Sequence, residues 1–421
     1  MPRIVPLLRR EYSLDTTEPM GIPLGKGGHS SRKIFEVGNG IYPLPPHSYA
    51  GTERVIWNLS KELPRIGFQS VIIDYDDGNS VSTSDSASEI VRVKPLFHLP
   101  LNRPLPRIYF LNALAFAASL FASLLRFTLP IKKTDVIHTH FFMTTVAFGL
   151  ARLFRPSLRF HIVYSEHEPH LANLPRAFLR RLILCCSVIF GLVWADATTF
   201  ENSHALRNLL PFFRKSSKKF YVLRNCIDAE AYEQKVAETG CLEIISVGRI
   251  CRAKNQLTLI DATVQLVERH PSLTLILVGA VEEPEYYNLL LKRIADAGIE
   301  GNVKHFSRLS HESVVQLYRK STVAVVLSET AGTDLVVPEA LVCRLPLIVP
   351  DIEGTRAILN SSSAIFVDPH DTNSVMTALD HILSNPCIRT TLVQKAHGEA
   401  ASFYSSNAAL LLGQIVSSLG S

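Results

Sequence analysis

The sequence predicts an α/β protein made of two Rossmann-like, doubly wound halves that face each other across a cleft. Three observations carry that expectation. At 421 residues the chain exceeds the size at which one hydrophobic core keeps growing. Short apolar runs alternate with helical stretches along its length, which is the pattern of parallel sheets. That rhythm is interrupted once, by the polar segment Ala229–Gly240, and then restarts.

In the first half, Ile34–Val37 and Ser70–Asp74 read as strands, with a helix over Thr52–Gly67 between them. A long apolar helix follows, then strands at Asp135–His140 and Phe160–Ser165. Val222–Arg224 leads into a turn at Asn225–Asp228. In the second half the strands are Leu242–Val247, Leu273–Val278, Val303–Phe306, Val323–Leu327 and Leu347–Val349. Helices over Gln256–His270, Glu285–Ala297, Ser310–Lys320 and Thr372–Asn385 separate or follow them, with another opening at Glu339–Cys343 and a last helical stretch from Thr391. The expected organisation is a polar extension over 1–31, an N-terminal half over 32–228 and a C-terminal half over 229–398. A terminal helix over 399–421 can return to the N-terminal half.

Composition narrows the class. With 47% apolar and 19% charged residues the chain is globular, and a net charge of +5 is too small to make nucleic acid its main partner. The charge is uneven: between Leu101 and Arg181 eleven Lys or Arg face three acids, a local excess of +8. The seven cysteines are odd in number and scattered, with no CxxC pair. That argues against a disulfide framework or zinc site and for a reducing, cytoplasmic setting. The first thirty residues hold Arg3, Arg9, Arg10, Glu11, Asp15 and Glu18 and no apolar run, so they read as a polar extension and not a signal peptide. Ile108–Leu125 is long enough to span a membrane, but Asn112, Ala115, Ser119, Ala122, Ser123 and Arg126 form a small and polar stripe on one side. A packed domain helix is the expectation. Leu182–Ala195 is too short to span and reads as a buried helix.

The residues that can carry chemistry lie at strand ends. Gly248-Arg249 follows a strand, and Lys254 follows five residues on, before a helix. A glycine there admits close backbone approach, and Arg and Lys can clamp a diphosphate from two sides. Some eighty residues later, Ser328 to Ala340 runs from a strand end through a Gly-containing turn into a helix start, where free N–H groups suit phosphate or sugar oxygens. Glu339 there suits the paired hydroxyls of a ribose. Taken alone, each feature is equally an ordinary polar loop.

Together these residues resemble the large retaining glycosyltransferase family 4, with its GT-B fold, from about Lys33 to about Pro386. Ser246-Val247-Gly248-Arg249 with Lys254 is similar to that family's phosphate-binding element. Glu339 matches the second of its paired glutamates, which implies a ribose-holding role. Tyr42 to Pro46, followed by Ala50-Gly51-Thr52-Glu53-Arg54, resembles the Gly-rich loop before the first helix, where Gly51 approaches the donor. Asp135-Val136-Ile137-His138-Thr139-His140 matches the strand end whose second histidine sits beside the reacting sugar. Asn225-Cys226-Ile227-Asp228 and Asp368-Pro369-His370-Asp371 resemble two further turns.

The resemblance implies a metal-independent hexosyltransferase without a cofactor, taking a UDP- or GDP-linked sugar to an unidentified acceptor. His140, Arg249 and Lys254 are the implied catalytic residues. Gly51, Gly248, Gly332, Thr333, Leu335 and Glu339 are implied donor contacts, with His138, His167, Glu329 and Arg344 as further candidates. Glu53 reads most simply as a first-turn acid favoured by the helix dipole. The basic N-terminal half receives the acceptor and suits a lipid-linked one, with peripheral contact to an anionic membrane.

Several departures cluster in the donor site. Ala331 stands where the first paired glutamate is expected, with Glu329 two residues earlier. Arg344 replaces a loop glycine before Leu345-Pro346, Glu353-Gly354-Thr355-Arg356-Ala357 lacks one glycine and the glutamate of its counterpart, and Cys226 replaces a turn glycine. The alternative reading is a catalytically degenerate nucleotide-sugar-binding subunit of a transferase complex. A nicotinamide oxidoreductase is disfavoured, because no GxGxxG follows the Ile34 or Leu242 strands.

Overall fold

The structure is a computed structural model that describes residues 32–46, 51–76, 88–99, 106–126, 128–157, 159–167, 189–209, 220–232, 242–329 and 334–419. The expected N-terminal extension, Ala50, Ala331, Gly332 and Thr333 lie outside the described residues.

The first half is a seven-stranded, all-parallel sheet in the order β3-β2-β1-β4-β5-β6-β7. Its strands are β1 (Lys33–Val37), β2 (Gln69–Tyr75), β3 (Glu89–Val93), β4 (Val136–Thr139), β5 (His161–Glu166), β6 (Ala197–Phe200) and β7 (Phe220–Val222). Helices α1 (Gly51–Glu62), α2 (Pro106–Leu125), α3 (Phe142–Phe154) and α4 (Ser203–Leu209) connect them. Strand order reverses between β1 and β4, so their carboxyl ends diverge into the crevice where open α/β sheets hold ligands.

The second half is a six-stranded parallel sheet in the order β10-β9-β8-β11-β12-β13. Its strands are β8 (Glu243–Val247), β9 (Thr274–Val278), β10 (Val303–Phe306), β11 (Val323–Val325), β12 (Leu347–Pro350) and β13 (Ile365–Val367). The helices here are α5 (Gln256–Val267), α6 (Pro284–Asp296), α7 (His311–Lys320), α8 (Val336–Val342), α9 (Glu353–Arg356), α10 (Thr372–Ser384), α11 (Pro386–Ala400) and α12 (Ser405–Ser418). The reversal falls between β8 and β11.

Alternation along each strand sorts side chains to two faces. Ile34, Val136 and Val163 share one core with α1 and α12, while Phe35, Ile137 and Ile162 share another with α2 and α3. The last helix therefore lies against the first sheet's layer. Ser405 donates its N–H to the Ile227 carbonyl at 2.9 Å, and a Cβ at Gly413 would stand 2.9 Å from the Phe68 ring.

Four short strands escape the pattern reading, among them β7, which shares only Val222 with the run expected to lead into the turn. Glu89–Val93 lies at the sheet edge and is only partly buried, and Ala197–Phe200 and Ile365–Val367 are brief. The long apolar helix packs into the core through Ala113, Phe116, Leu120 and Leu124, and part of its small, polar stripe is buried with them. Asn112, Ala115 and Ser119 are buried, and Asn112 clasps the Leu99 backbone, accepting from its N–H at 2.8 Å and donating to its carbonyl at 3.0 Å. Phe110, Leu111 and Leu114 are left exposed at 51%, 38% and 46%. The expected buried helix over Leu182–Ala195 is corrected where it is described. Residues 189–194 are helical, with Trp194 seated on Gly149 of α3, but Ile189, Phe190 and Val193 face outward.

Candidate active site

Both phosphate-clamp candidates stand at the carboxyl end of β8. Gly248 adopts φ 155°, and a Cβ on Gly279, at the end of the neighbouring β9, would sit 2.0 Å from the Gly248 carbonyl oxygen. Only bare backbone fits there. Lys254 runs over Gly248 and is mostly buried, and its Nζ donates to Asp334 Oδ2 at 2.6 Å and Ser328 Oγ at 3.0 Å. Arg249 is exposed, and its Nη1 donates to Glu282 Oε2 at 2.5 Å. Each cation thus has a carboxylate partner of its own.

Glu339 lies in α8, one turn past Leu335, whose side chain is in the core. The Glu339 carboxylate is fully buried and already engaged. Oε1 accepts from Arg54 Nη1 at 2.6 Å and from Tyr232 at 2.9 Å, and Oε2 accepts from Tyr318 at 3.2 Å. Arg54 comes from α1, 285 residues away in the chain, and also donates to the Tyr232 hydroxyl at 2.6 Å.

Two other candidates take different parts. Arg344 is exposed and holds φ 56°, the left-handed conformation that a glycine adopts without strain, so its position is a backbone requirement. Glu329 is half exposed, within 3.4 Å of His370 Nε2. Gly51 opens α1, with nothing within 4 Å of where its Cβ would be.

The first half carries a hydrogen-bonded chain across the carboxyl ends of its strands. In the β1–β4 register Glu36 stands beside His138. His138 Nδ1 and Glu36 Oε1 are 2.9 Å apart, and His140 Nε2 and Glu36 Oε2 are 2.8 Å apart. His140 Nδ1 meets His167 Nε2 at 2.9 Å, and His167 Nδ1 meets Glu201 Oε1 at 3.0 Å. Asn225 Nδ2 donates to that same Glu201 oxygen at 2.6 Å. His138 Nε2 accepts from Ser165, 2.7 Å away.

Proton positions follow from this network. Burial alone raises the Glu36 carboxyl, but the two histidines pull it down to about 2, so it only accepts. His138 and His140 therefore each turn an N–H toward it. Burial, with His138 nearby, drives His140 down to about 3, so that ring is neutral and its Nδ1 is bare. The hydrogen on the His140–His167 contact then belongs to His167. The second His167 nitrogen lies 3.0 Å from Glu201 Oε1, a pairing that favours the protonated ring. Burial opposes that charge, and Glu201 outweighs it and holds the pKa above the ordinary histidine value.

Both His140 ring nitrogens are engaged within this chain of hydrogen bonds, Nε2 with Glu36 and Nδ1 with His167. His167, whose side chain is 12% exposed against 0% for His140, is the member nearest solvent. Glu36, His138 and His140 also form a trio whose ligand atoms converge within 4.8 Å. Both Glu36 oxygens and all four ring nitrogens are already satisfied by hydrogen bonds, which accounts for the trio without an ion. Sequence reasoning missed Glu36 and Arg54. Glu53 is an acid of the first turn of α1, as expected, and it is buried at 2% exposed.

The sequence model described as Glycosyltransferase Family 4 matches residues 49–231, and the one described as Glycosyl transferases group 1 matches residues 228–399. Glycogen synthase of Mycobacterium tuberculosis is 23% identical over 362 residues, covering 82% of this chain and 85% of that protein. Among solved structures, sucrose-phosphate synthase from Thermosynechococcus elongatus has a TM-score of 0.74 at 19% identity, covering 92% of this chain and 99% of that one. Anabaena HepE in complex with UDP and glucose has a TM-score of 0.71 at 16% identity, covering 92% and 100%. With two family models meeting end to end across both sheets, the chain belongs to the family 4, group 1 glycosyltransferases and has their GT-B fold.

Proposed function

We propose that this glycosyltransferase is a retaining hexosyltransferase that takes its sugar from a nucleoside diphosphate, with residues 32–228 as the acceptor half and 229–398 as the donor half. The observation that carries the reading is the pair Arg249 and Lys254 over the bare Gly248–Gly279 backbone at the end of β8. As the sugar–phosphate bond breaks, negative charge grows on the diphosphate, and preorganised cations in a sheltered site stabilise it. Two cations there can do what a divalent ion does elsewhere, which supports metal-independent transfer. Gly51, the backbone at Gly332, Thr333 and Leu335, and Glu339 after exchange with Arg54 complete the donor site. His140 acts from behind His167 as a positioning residue, and His138 anchors it through Glu36.

The likeness to HepE, whose structure holds UDP and glucose, makes UDP-glucose the first donor to try, with GDP-linked sugars next. A thermal-shift panel of UDP-, GDP- and ADP-sugars tests the reading. A donor at a hundred times its dissociation constant adds ~2.7 kcal/mol to the folded state. No shift with any of them would overturn it.

We propose further that the acceptor is lipid-linked and that the first half rests on an anionic membrane surface. Support comes from exposed Phe110, Leu111 and Leu114 on α2 and Leu153 and Phe154 at the end of α3, with Arg126, Lys132, Lys133 and Arg159 also exposed. Co-sedimentation with anionic but not neutral vesicles, reversed by salt, is the expected result.

A further inference from the structure

Asn255 stands between the clamp lysine and the helix that follows it, and the scheme above gives it no part. It closes the short 3₁₀ turn Arg252–Lys254 and leads into α5. Its backbone holds φ 51° and ψ 34°, a left-handed conformation that asparagine tolerates better than most side chains. The residues on either side part there. Gln256 is buried and its Nε2 donates to the Arg249 carbonyl at 2.8 Å, while Lys254 runs over Gly248.

The Asn255 side chain does not cap its own helix. Its Nδ2 donates instead to the carbonyl of Leu327, two residues past β11, at 2.9 Å. The next residue, Ser328, accepts from Lys254 Nζ at 3.0 Å, and the Glu329 N–H donates to the Ala253 carbonyl at 3.2 Å. Residues 253, 254 and 255 thus meet 329, 328 and 327 in reverse order. The sheet changes direction between β8 and β11, so the segments that leave these two strands flank the crevice at their carboxyl ends. The three hydrogen bonds join its two sides.

We propose that Asn255 is a positioning residue of this transferase, which aims the Lys254 ammonium at the diphosphate by tying the β8–α5 turn to the end of β11. The assignment rests on the nucleotide-sugar reading above and deepens it. A lysine carries its charge on a flexible four-carbon stem, and that charge serves a leaving group best where the stem is held in advance. Backbone and amide do separate work. The left-handed turn presents residue 254 to the crevice, and the amide fixes how far that turn stands from Ser328 and Asp334. Asn255 acts through the lysine.

The test uses the whole protein with UDP and UDP-glucose, or the donor that the thermal-shift panel selects in their place. Nucleotide affinity is read by titration calorimetry, donor hydrolysis by steady-state kinetics, and the fold by melting. Asn255→Gly keeps the left-handed backbone without strain and removes only the amide. Asn255→Asp keeps the shape and has no N–H to give to Leu327. Both should keep a cooperative melting transition and weaken nucleotide binding by about three- to tenfold, the effect of one hydrogen bond. Both should lower kcat more than they raise KM, because charge on the diphosphate grows as the bond breaks. In a Lys254→Ala background, Asn255→Gly should change nucleotide affinity by less than about twofold. Wild-type affinity and turnover in the two variants would overturn the assignment. So would an equal loss in the Lys254→Ala background, or loss of cooperative melting in both variants, since either makes Asn255 a residue of the fold alone. A wild type that binds none of the UDP-, GDP- and ADP-sugars would overturn the underlying reading and this assignment with it, and is recognisable before any substitution is made.

Discussion

Asp334→Asn isolates the step at which donor binding competes with the protein's own charges. Lys254 Nζ is held by Asp334 Oδ2 at 2.6 Å, with the lysine side chain 14% exposed and the aspartate 25% exposed. Nζ keeps a third N–H beyond those given to Asp334 and Ser328, but a diphosphate that takes it competes with the adjacent carboxylate for the same positive charge. A charge-assisted hydrogen bond to the diphosphate is worth about 1.5–3 kcal/mol, so Lys254→Ala should weaken UDP binding by roughly 10- to 150-fold. The internal pair is partly open to solvent and screened, so its own strength is about 1 kcal/mol. Removing the competing carboxylate in Asp334→Asn should therefore tighten UDP by roughly fivefold. Titration calorimetry on wild type, both single variants and the double variant closes a cycle. The double variant should bind as Lys254→Ala does, because the aspartate acts only through the lysine. Weaker UDP binding by Asp334→Asn, or an equal gain in the Lys254→Ala background, would refute the competition.

Three further outcomes follow from the geometry. Arg344→Gly should stabilise the fold by ~0.5–1 kcal/mol in denaturant titration, because a side chain at φ 56° costs about 1–2 kcal/mol and glycine returns only part of that through its freer unfolded state. Arg54→Ala should cost about 3–5 kcal/mol by leaving Glu339 buried without its cation, whereas Arg54→Met with Glu339→Leu should recover much of that; an unchanged unfolding transition in Arg54→Ala would mean that the buried bridge carries nothing. His167 has a folded pKa above its unfolded 6.5, so its stabilisation is full below pH 6.5 and is lost as pH rises through the folded value. The melting gap between wild type and His167→Gln should therefore be wider at pH 6 than at pH 9.

Much of the architecture is legible because apolar runs of strand length sit between helical stretches, and β1, β2, β4, β5 and β8 to β12 announce themselves that way. β3 does not, because Glu89–Val93 is an edge strand with polar residues facing water. The site is legible only as positions. Gly248, Arg249 and Lys254 are recognisable from their place after β8. No local pattern reveals that Asp334 occupies Lys254 or that Arg54 crosses 285 residues to hold Glu339. Proton positions are hidden for the same reason. His140 and His167 look alike in sequence, yet burial and the nearby His138 push the pKa of one down while Glu201 lifts that of the other. Arg344 shows the converse: a departure that suggests a ligand proves to be a backbone position. α2 shows that a polar stripe can face inward when one asparagine satisfies a loop.

The central claim is sugar transfer from a nucleoside diphosphate with retention at the anomeric carbon. Following UDP-α-glucose with the whole protein by proton NMR tests it most directly, because first-formed glucose is read before its anomers equilibrate. The account predicts UDP release with α-glucose as the initial product, at a rate that falls in Arg249→Ala and Lys254→Ala. Initial β-glucose, or turnover indifferent to both substitutions, would contradict it.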